Sequence, residues 1–163
     1  MMSSETDQFL KFRPNLKYIE KVKHQPNHNY KTTECDNMSG VEAKENSGSI
    51  VKGWLVGNIN HSTDWYCSIQ GRSVSGTPII RHTWNINNNG EHYDTVDYRQ
   101  SDKFKNFQYV MDPNVDVIYN IKNEIYIPGV FFLTDKKLGL RKKNGVVHMI
   151  TKEEHERFYN EVK

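Results

Sequence analysis

The run Asn87-Asn88-Asn89-Gly90 does most to limit what this chain can fold into. Its Asn-Gly end accepts the positive φ angles of a tight reversal, and it lies between two segments suited to extended backbone, Pro78 to Ile86 and Glu91 to Tyr98. The two flanks therefore predict an antiparallel hairpin. Ser49 to Val56 predicts a second strand, with Ile50, Trp54 and Val56 on one face and Val51 and Leu55 on the other, as in a strand covered on both sides. Further strands are expected over Phe107 to Met111, Val115 to Tyr119 and Ile125 to Phe132, separated by Asp112-Pro113-Asn114 and Pro128-Gly129. Between the first strand and the hairpin, Gly57 to Gly76 is polar and turn-rich around an apolar island at Trp65, Tyr66 and Cys67, and reads as a loop or hairpin over a site.

Helical signals are fewer. Thr32-Thr33 offers an N-cap, and Cys35, Met38 and Val41 follow at three-residue spacing along one side of a short helix that Gly40 weakens and Asn46 to Gly48 ends. Thr151-Lys152-Glu153-Glu154 fits a capping box opening a helix that runs to about Val162. A short helix over Asp7 to Phe12 is ended by Pro14. The chain therefore reads as α+β, with residues 1–30 a partly ordered arm and residues 31–163 a single domain. With 163 residues and 36% hydrophobic content it can bury one core.

Charge excludes some functions. The 22 basic and 20 acidic residues leave a net charge of +2, which builds no strong field for nucleic acid or an anionic membrane. The Arg141-Lys142-Lys143 run reads as a solvated loop. No apolar run reaches the length of a membrane span, and the first residues lack the form of a signal peptide, so a cytoplasmic protein is expected. A reducing compartment then disfavours a disulfide between Cys35 and Cys67. The weight of Asn, Lys, Ile and Tyr is the bias of AT-rich coding sequence, as in a phage or an AT-rich bacterium.

Cys35, His82 and Asp94 carry the chemistry that this sequence can be read to hold. A free thiol is mostly protonated at neutral pH, and an imidazole oriented by a carboxylate raises its thiolate fraction and later returns the proton. A cysteine in the first turn of a helix gains further from the unpaired N–H groups and the dipole there, which favour an anion and can stabilise an oxyanion. Asn29 and Asn37 are the nearest amides able to add a second oxyanion donor. Hairpin register decides the carboxylate. A three- or five-residue loop puts Asp94 on the face of His82, whereas a two-residue Asn89-Gly90 turn puts Asp97 opposite His82 instead.

The residues resemble the transglutaminase-like branch of the papain-like cysteine hydrolases. A helix-borne Cys35 is followed by His82-Thr83-Trp84-Asn85, then Gly90, then Tyr93-Asp94-Thr95, over roughly Thr32 to Val96. The resemblance implies a nucleophile helix packed on an antiparallel sheet, and a Cys35-His82-Asp94 triad acting on an amide or ester carbonyl of a peptide, protein or small molecule. No cofactor is expected. Two rivals remain: a zinc site of Cys35, His82 and His92 with Asp94 or Cys67, which lacks any Cys-x-x-Cys or His-Glu-x-x-His signature, and a non-catalytic module on the same fold that binds a host protein.

Overall fold

The structure is a computed structural model that describes residues 1–25, 35–57, 63–67, 72–95, 107–116, 119–121, 124–134, 136–142 and 147–162. Within them the chain runs α1 (Ser4–Phe12), β1 (Lys17–Ile19), β2 (Val22–His24), α2 (Cys35–Asn46), β3 (Ser49–Val56), β4 (Thr63–Cys67) and β5 (Arg72–Ile86). It continues through β6 (His92–Asp94), β7 (Gln108–Met111), β8 (Tyr119–Ile121), β9 (Glu124–Thr134), β10 (Lys137–Lys142), β11 (Val147–Thr151) and α3 (Lys152–Val162). The fold is α+β, with a mostly antiparallel sheet and few helices.

β5 organises the sheet. Its second half pairs with β3 in a continuous register from Val56↔Ile79 to Ser49↔Ile86, while its first half pairs with β4 on one side and β9 on the other. β4 meets β11, β11 meets β10 and β10 meets β9, so the pairings return to β5. Beyond β3 lie β7 and then β1. β2 pairs in parallel with β6, which in turn pairs with the end of β5.

Strand alternation sorts the side chains into distinct clusters. On one face Trp54, Val56, Ile79 and Val110 join Phe131, Leu133, Leu138, Leu140 and Ile150, and Phe9 and Phe12 of α1 close over them. The Trp54 and Phe131 ring centroids lie 4.8 Å apart. Each such fully buried side chain stabilises the fold by about 1.5–3 kcal/mol. On the other face of β3, Val51 and Leu55 meet Trp84, Tyr109 and Ile19. Gly53 lies between them, where a Cβ would strike the Val110 carbonyl oxygen and the Trp84 ring. Glycine at that position lets the indole lie directly against the strand.

The N-terminal segment corrects the expected arm. Residues 4–24 are α1, β1 and β2, and Phe9 and Phe12 are core residues. Ser3 caps α1 by accepting the Thr6 N–H at 3.1 Å, and Ser3 N and Thr6 Oγ1 both donate to Gln108 Oε1. Pro14 follows the helix as expected, but α1 starts earlier, at Ser4, and is anchored on Gln108 of β7. At the helix end, Arg13 donates to Asp112 Oδ2 at 2.8 Å, and Trp54 Nε1 donates to the same oxygen at 2.8 Å. This ion pair is buried, Arg13 being 3% and Asp112 0% exposed. A cavity of about 310 Å³ beside it is lined by Phe12, Arg13, Asp112 and His155 of α3, among others.

Other boundaries differ in instructive ways. The strand expected over Val115 to Tyr119 is a turn through residue 116, because Asp112 Oδ1 accepts the Asn114 N–H at 2.8 Å; the strand found is Tyr119–Ile121. Gly57 to Gly76 holds β4 and the start of β5. β10 and β11 are absent from the sequence reading. The capping box forms as expected, with Glu154 N donating to Thr151 Oγ1 and Thr151 N donating to Glu154 Oε1, each at 3.3 Å.

Candidate functional site

The hairpin fixes the geometry of the site. Asn85 pairs with Tyr93 and Ile86 with His92, leaving residues 87–91 as a five-residue loop. Asn87 Oδ1 accepts the N–H groups of Asn89 and Glu91, each at 2.9 Å, and Gly90 takes a φ of +81°. An odd loop length keeps His82 and Asp94 on one face of the sheet, on neighbouring strands. Asp94 is held from its other side too, since it pairs with His24 and its carbonyl accepts the Gln25 N–H at 2.8 Å.

His82 Nε2 lies 2.8 Å from Asp94 Oδ2, with His82 3% and Asp94 0% exposed. Tyr109 on β7 donates its hydroxyl to the same carboxylate oxygen at 2.6 Å. Burial, then the Asp94 charge and this hydrogen bond, push the Tyr109 hydroxyl well above its ordinary pKa, so it remains a donor. As the carboxylate accepts, the His82 proton belongs on Nε2, and Nδ1 of the neutral ring is its basic nitrogen. Trp84 stacks on the imidazole with centroids 6.1 Å apart and planes 19° from parallel. Its indole N–H donates to His92 Nδ1 at 3.0 Å.

Tyr109 is the member that sequence reasoning missed. It lies in a segment expected to be a strand, but nothing local marks it as a partner of a carboxylate fifteen residues earlier. Asn29 and the alternate carboxylate Asp97 lie outside the described residues, as do the Thr32-Thr33 cap and the side chains of Cys35, Asn37 and Cys67.

Helix α2 begins at Cys35. Three contacts set it on the sheet: Ser39 Oγ with Thr83 Oγ1 at 2.9 Å, Asn85 Nδ2 donating to the Ser39 carbonyl at 2.8 Å, and Tyr93 Oη donating to Glu42 Oε1 at 3.0 Å. Burial, then the hydrogen bond and charge of Glu42, push the Tyr93 hydroxyl up to about 12. Cys35 stands one turn before Ser39 and two before Glu42, on the helix side that carries these contacts. Thr83, Asn85 and Tyr93 alternate with His82, Trp84 and Asp94 along their strands, so α2 lies on the face opposite the imidazole.

On the edge of β5 away from β3, the described pairing with β9 stops at Ile80 and that with β6 starts at Asn85. Among the described residues this leaves a gap in the pairing at residues 81–84, and His82 lies inside it. The structure thus joins His82 to Asp94, and sets the Cys35-bearing helix across the same stretch of β5 from the other face.

Among the described residues, no group of three or more His, Cys, Asp or Glu side chains is arranged to hold a metal ion, and no helix is long and apolar enough to cross a membrane. Comparison of the chain with protein-family profiles, with curated proteins and with solved structures finds no match.

Proposed function

We propose that this chain is a thiol-dependent hydrolase of the transglutaminase-like, papain-like kind, in which Cys35 is the nucleophile, His82 the proton carrier and Asp94 the orienting carboxylate. The observation that carries this reading is the buried 2.8 Å bond from His82 Nε2 to Asp94 Oδ2, which fixes the ring and leaves Nδ1 as the basic nitrogen. Its geometric requirement is definite: the Cys35 sulfur must meet Nδ1 through the gap at residues 81–84. The thiolate then attacks the carbonyl carbon of an amide or ester. Backbone N–H groups of the first α2 turn, with Asn29 or Asn37, stabilise the oxyanion. His82 protonates the leaving amine or alcohol as the thioester forms, and water activated by His82 hydrolyses it to the acid and the free thiol. The substrate class is a peptide, a protein or an amide-bearing small molecule, and the setting a reducing one, as in the cytoplasm of an AT-rich bacterium or its phage.

A second reading follows from the same burial. Asp94 accepts two buried donors and His82 is almost fully enclosed, which also describes a satisfied polar network within a non-catalytic protein-binding module.

Alkylation separates the two. In a Cys67→Ala background, iodoacetamide is expected to modify Cys35 rapidly below pH 7, with the rate falling in His82→Asn and its pH dependence moving toward the ordinary thiol value of about 8.5. Circular dichroism checks that both proteins are folded. An unchanged rate and pH profile in folded His82→Asn would refute the hydrolase and favour the binding module.

A further inference from the structure

We infer that Tyr109 is a positioning residue of the proposed site: its hydroxyl holds the Asp94 carboxylate so that His82 keeps its ring proton on Nε2. This role rests on the hydrolase reading given above. His82 Nε2 and Tyr109 Oη meet Asp94 at a single oxygen, Oδ2, at 2.8 and 2.6 Å. The shorter bond has the length of an O–H donated to a charged acceptor. Asp94 is 0% exposed, and an ionised carboxylate at that depth needs compensating donors. Burial and the Asp94 charge keep the Tyr109 hydroxyl protonated, so it stays available as a donor throughout the range in which a thiol titrates.

The order of strands explains why a tyrosine fills this place. β7 pairs with β3, β3 with β5 and β5 with β6, so the bond from Tyr109 to Asp94 spans two intervening strands. A long, rigid side chain can make that reach. The Tyr109 ring is set T-shaped against Trp84 at 5.1 Å and against His24 at 6.1 Å, and its centroid lies 6.2 Å from that of His82. With Tyr109 5% exposed, this packing fixes where the hydroxyl sits before any hydrogen bond is counted. Oδ2 is thus held between a donor from β5 and a donor from β7, and the carboxylate cannot turn toward one without losing the other. Without the hydroxyl, Asp94 is free to turn about its side-chain bond. The imidazole would then sample the tautomer with its proton on Nδ1, the nitrogen that the hydrolase reading assigns to Cys35.

The test is Tyr109→Phe, which keeps the ring and its packing and removes the hydroxyl alone. The side-chain ¹⁵N spectrum of the full chain at pH 7.5 reads the His82 tautomer, with Asp94→Asn as the reference for a lost carboxylate. Wild type is expected to show His82 with a protonated Nε2 and a bare Nδ1. In Tyr109→Phe the two ring shifts should move toward each other while the Trp84 indole signal, set by its bond to His92, stays in place. In a Cys67→Ala background the same substitution should slow iodoacetamide alkylation of Cys35 by about tenfold, the scale of one hydrogen bond to a charged group. If folded Tyr109→Phe keeps the wild-type His82 shifts, or keeps the alkylation rate while His82→Asn slows it, the positioning role is overturned and the hydrolase reading stands. If alkylation also runs at the wild-type rate in folded His82→Asn, the hydrolase reading fails and the role falls with it.

Discussion

Replacing His155 with glutamine should flatten the acid side of this chain's stability profile. His155 is 0% exposed on α3, with the Phe12 ring edge-on at 5.7 Å and the Arg13 charge nearby. Burial, followed by Arg13, lowers its pKa from 6.5 to about 4. The unfolded chain therefore takes up the proton first as pH falls. Stability is full above pH 6.5, declines below it, and the loss is complete below about pH 4. A difference of about 2.5 pKa units corresponds to about 2 kcal/mol lost by pH 5 and about 3 kcal/mol by pH 4. Asp112 shares the cavity and is tied to Arg13, while Glu156 beside it is exposed, so the cation facing the ring is itself held in an ion pair. The assay is urea denaturation at pH 7.5, 6, 5 and 4 for both proteins. Glutamine keeps a polar side chain without a titration, so its own cost shifts the whole curve and leaves the slope as the readout. Equal losses between pH 7.5 and pH 4 in the two proteins would refute the reasoning.

Three further outcomes are expected. Asp112→Ala strands a buried guanidinium and removes the acceptor of the Trp54 indole, so denaturation should show a loss of about 3–5 kcal/mol; a loss below about 1 kcal/mol would show that the Arg13 pair does not bind α1 to β7. Gly53→Ala forces a Cβ against the Val110 carbonyl and the Trp84 ring, and is expected to cost more than about 2 kcal/mol and to shift the Trp84 indole signal by NMR, whereas a neutral effect would show that the strands can part there. Asp94→Asn should slow Cys35 alkylation in parallel with His82→Asn if the pair acts on the thiol, while an unaltered rate with lowered thermal stability would assign the pair to packing.

What the sequence made legible was local. Asn87 through Gly90 announced a reversal because the side chain of Asn87 and the backbone of Gly90 suffice to make one, and Thr151 with Glu154 forms its cap within four residues. His82 and Asp94 stood out by spacing across that reversal. The arm failed as a reading because the burial of Phe9 and Phe12 depends on Trp54 and Phe131, far along the chain. Asp112 reads as turn punctuation beside Pro113, and does make that turn, yet its other oxygen receives Arg13 and Trp54. β10 was hidden by its charges: Leu138 and Leu140 alternate with Gly139, whose bare Cα lies against Val147, Met149 and Phe132, and Lys142 ends the strand over the Tyr126 ring at 5.9 Å. Tyr109 was invisible for the same reason, since a strand tyrosine acquires its carboxylate only when β7 meets β3 and β6 meets β5.

One strand carries both halves of the proposed site, and this ties them together. Along β5 the side chains of Thr83 and Asn85 hold α2, while those of His82 and Trp84 between them face Asp94 and His92. A slip of one residue in the β3–β5 ladder would exchange the two sets, turning the imidazole toward the helix and the anchors away from it. Gly53 opposes that slip, because it sits opposite His82 and is the place on β3 where the Trp84 indole can lie. The imidazole is therefore fixed by the sheet, and the helix by the alternate residues of the same sheet.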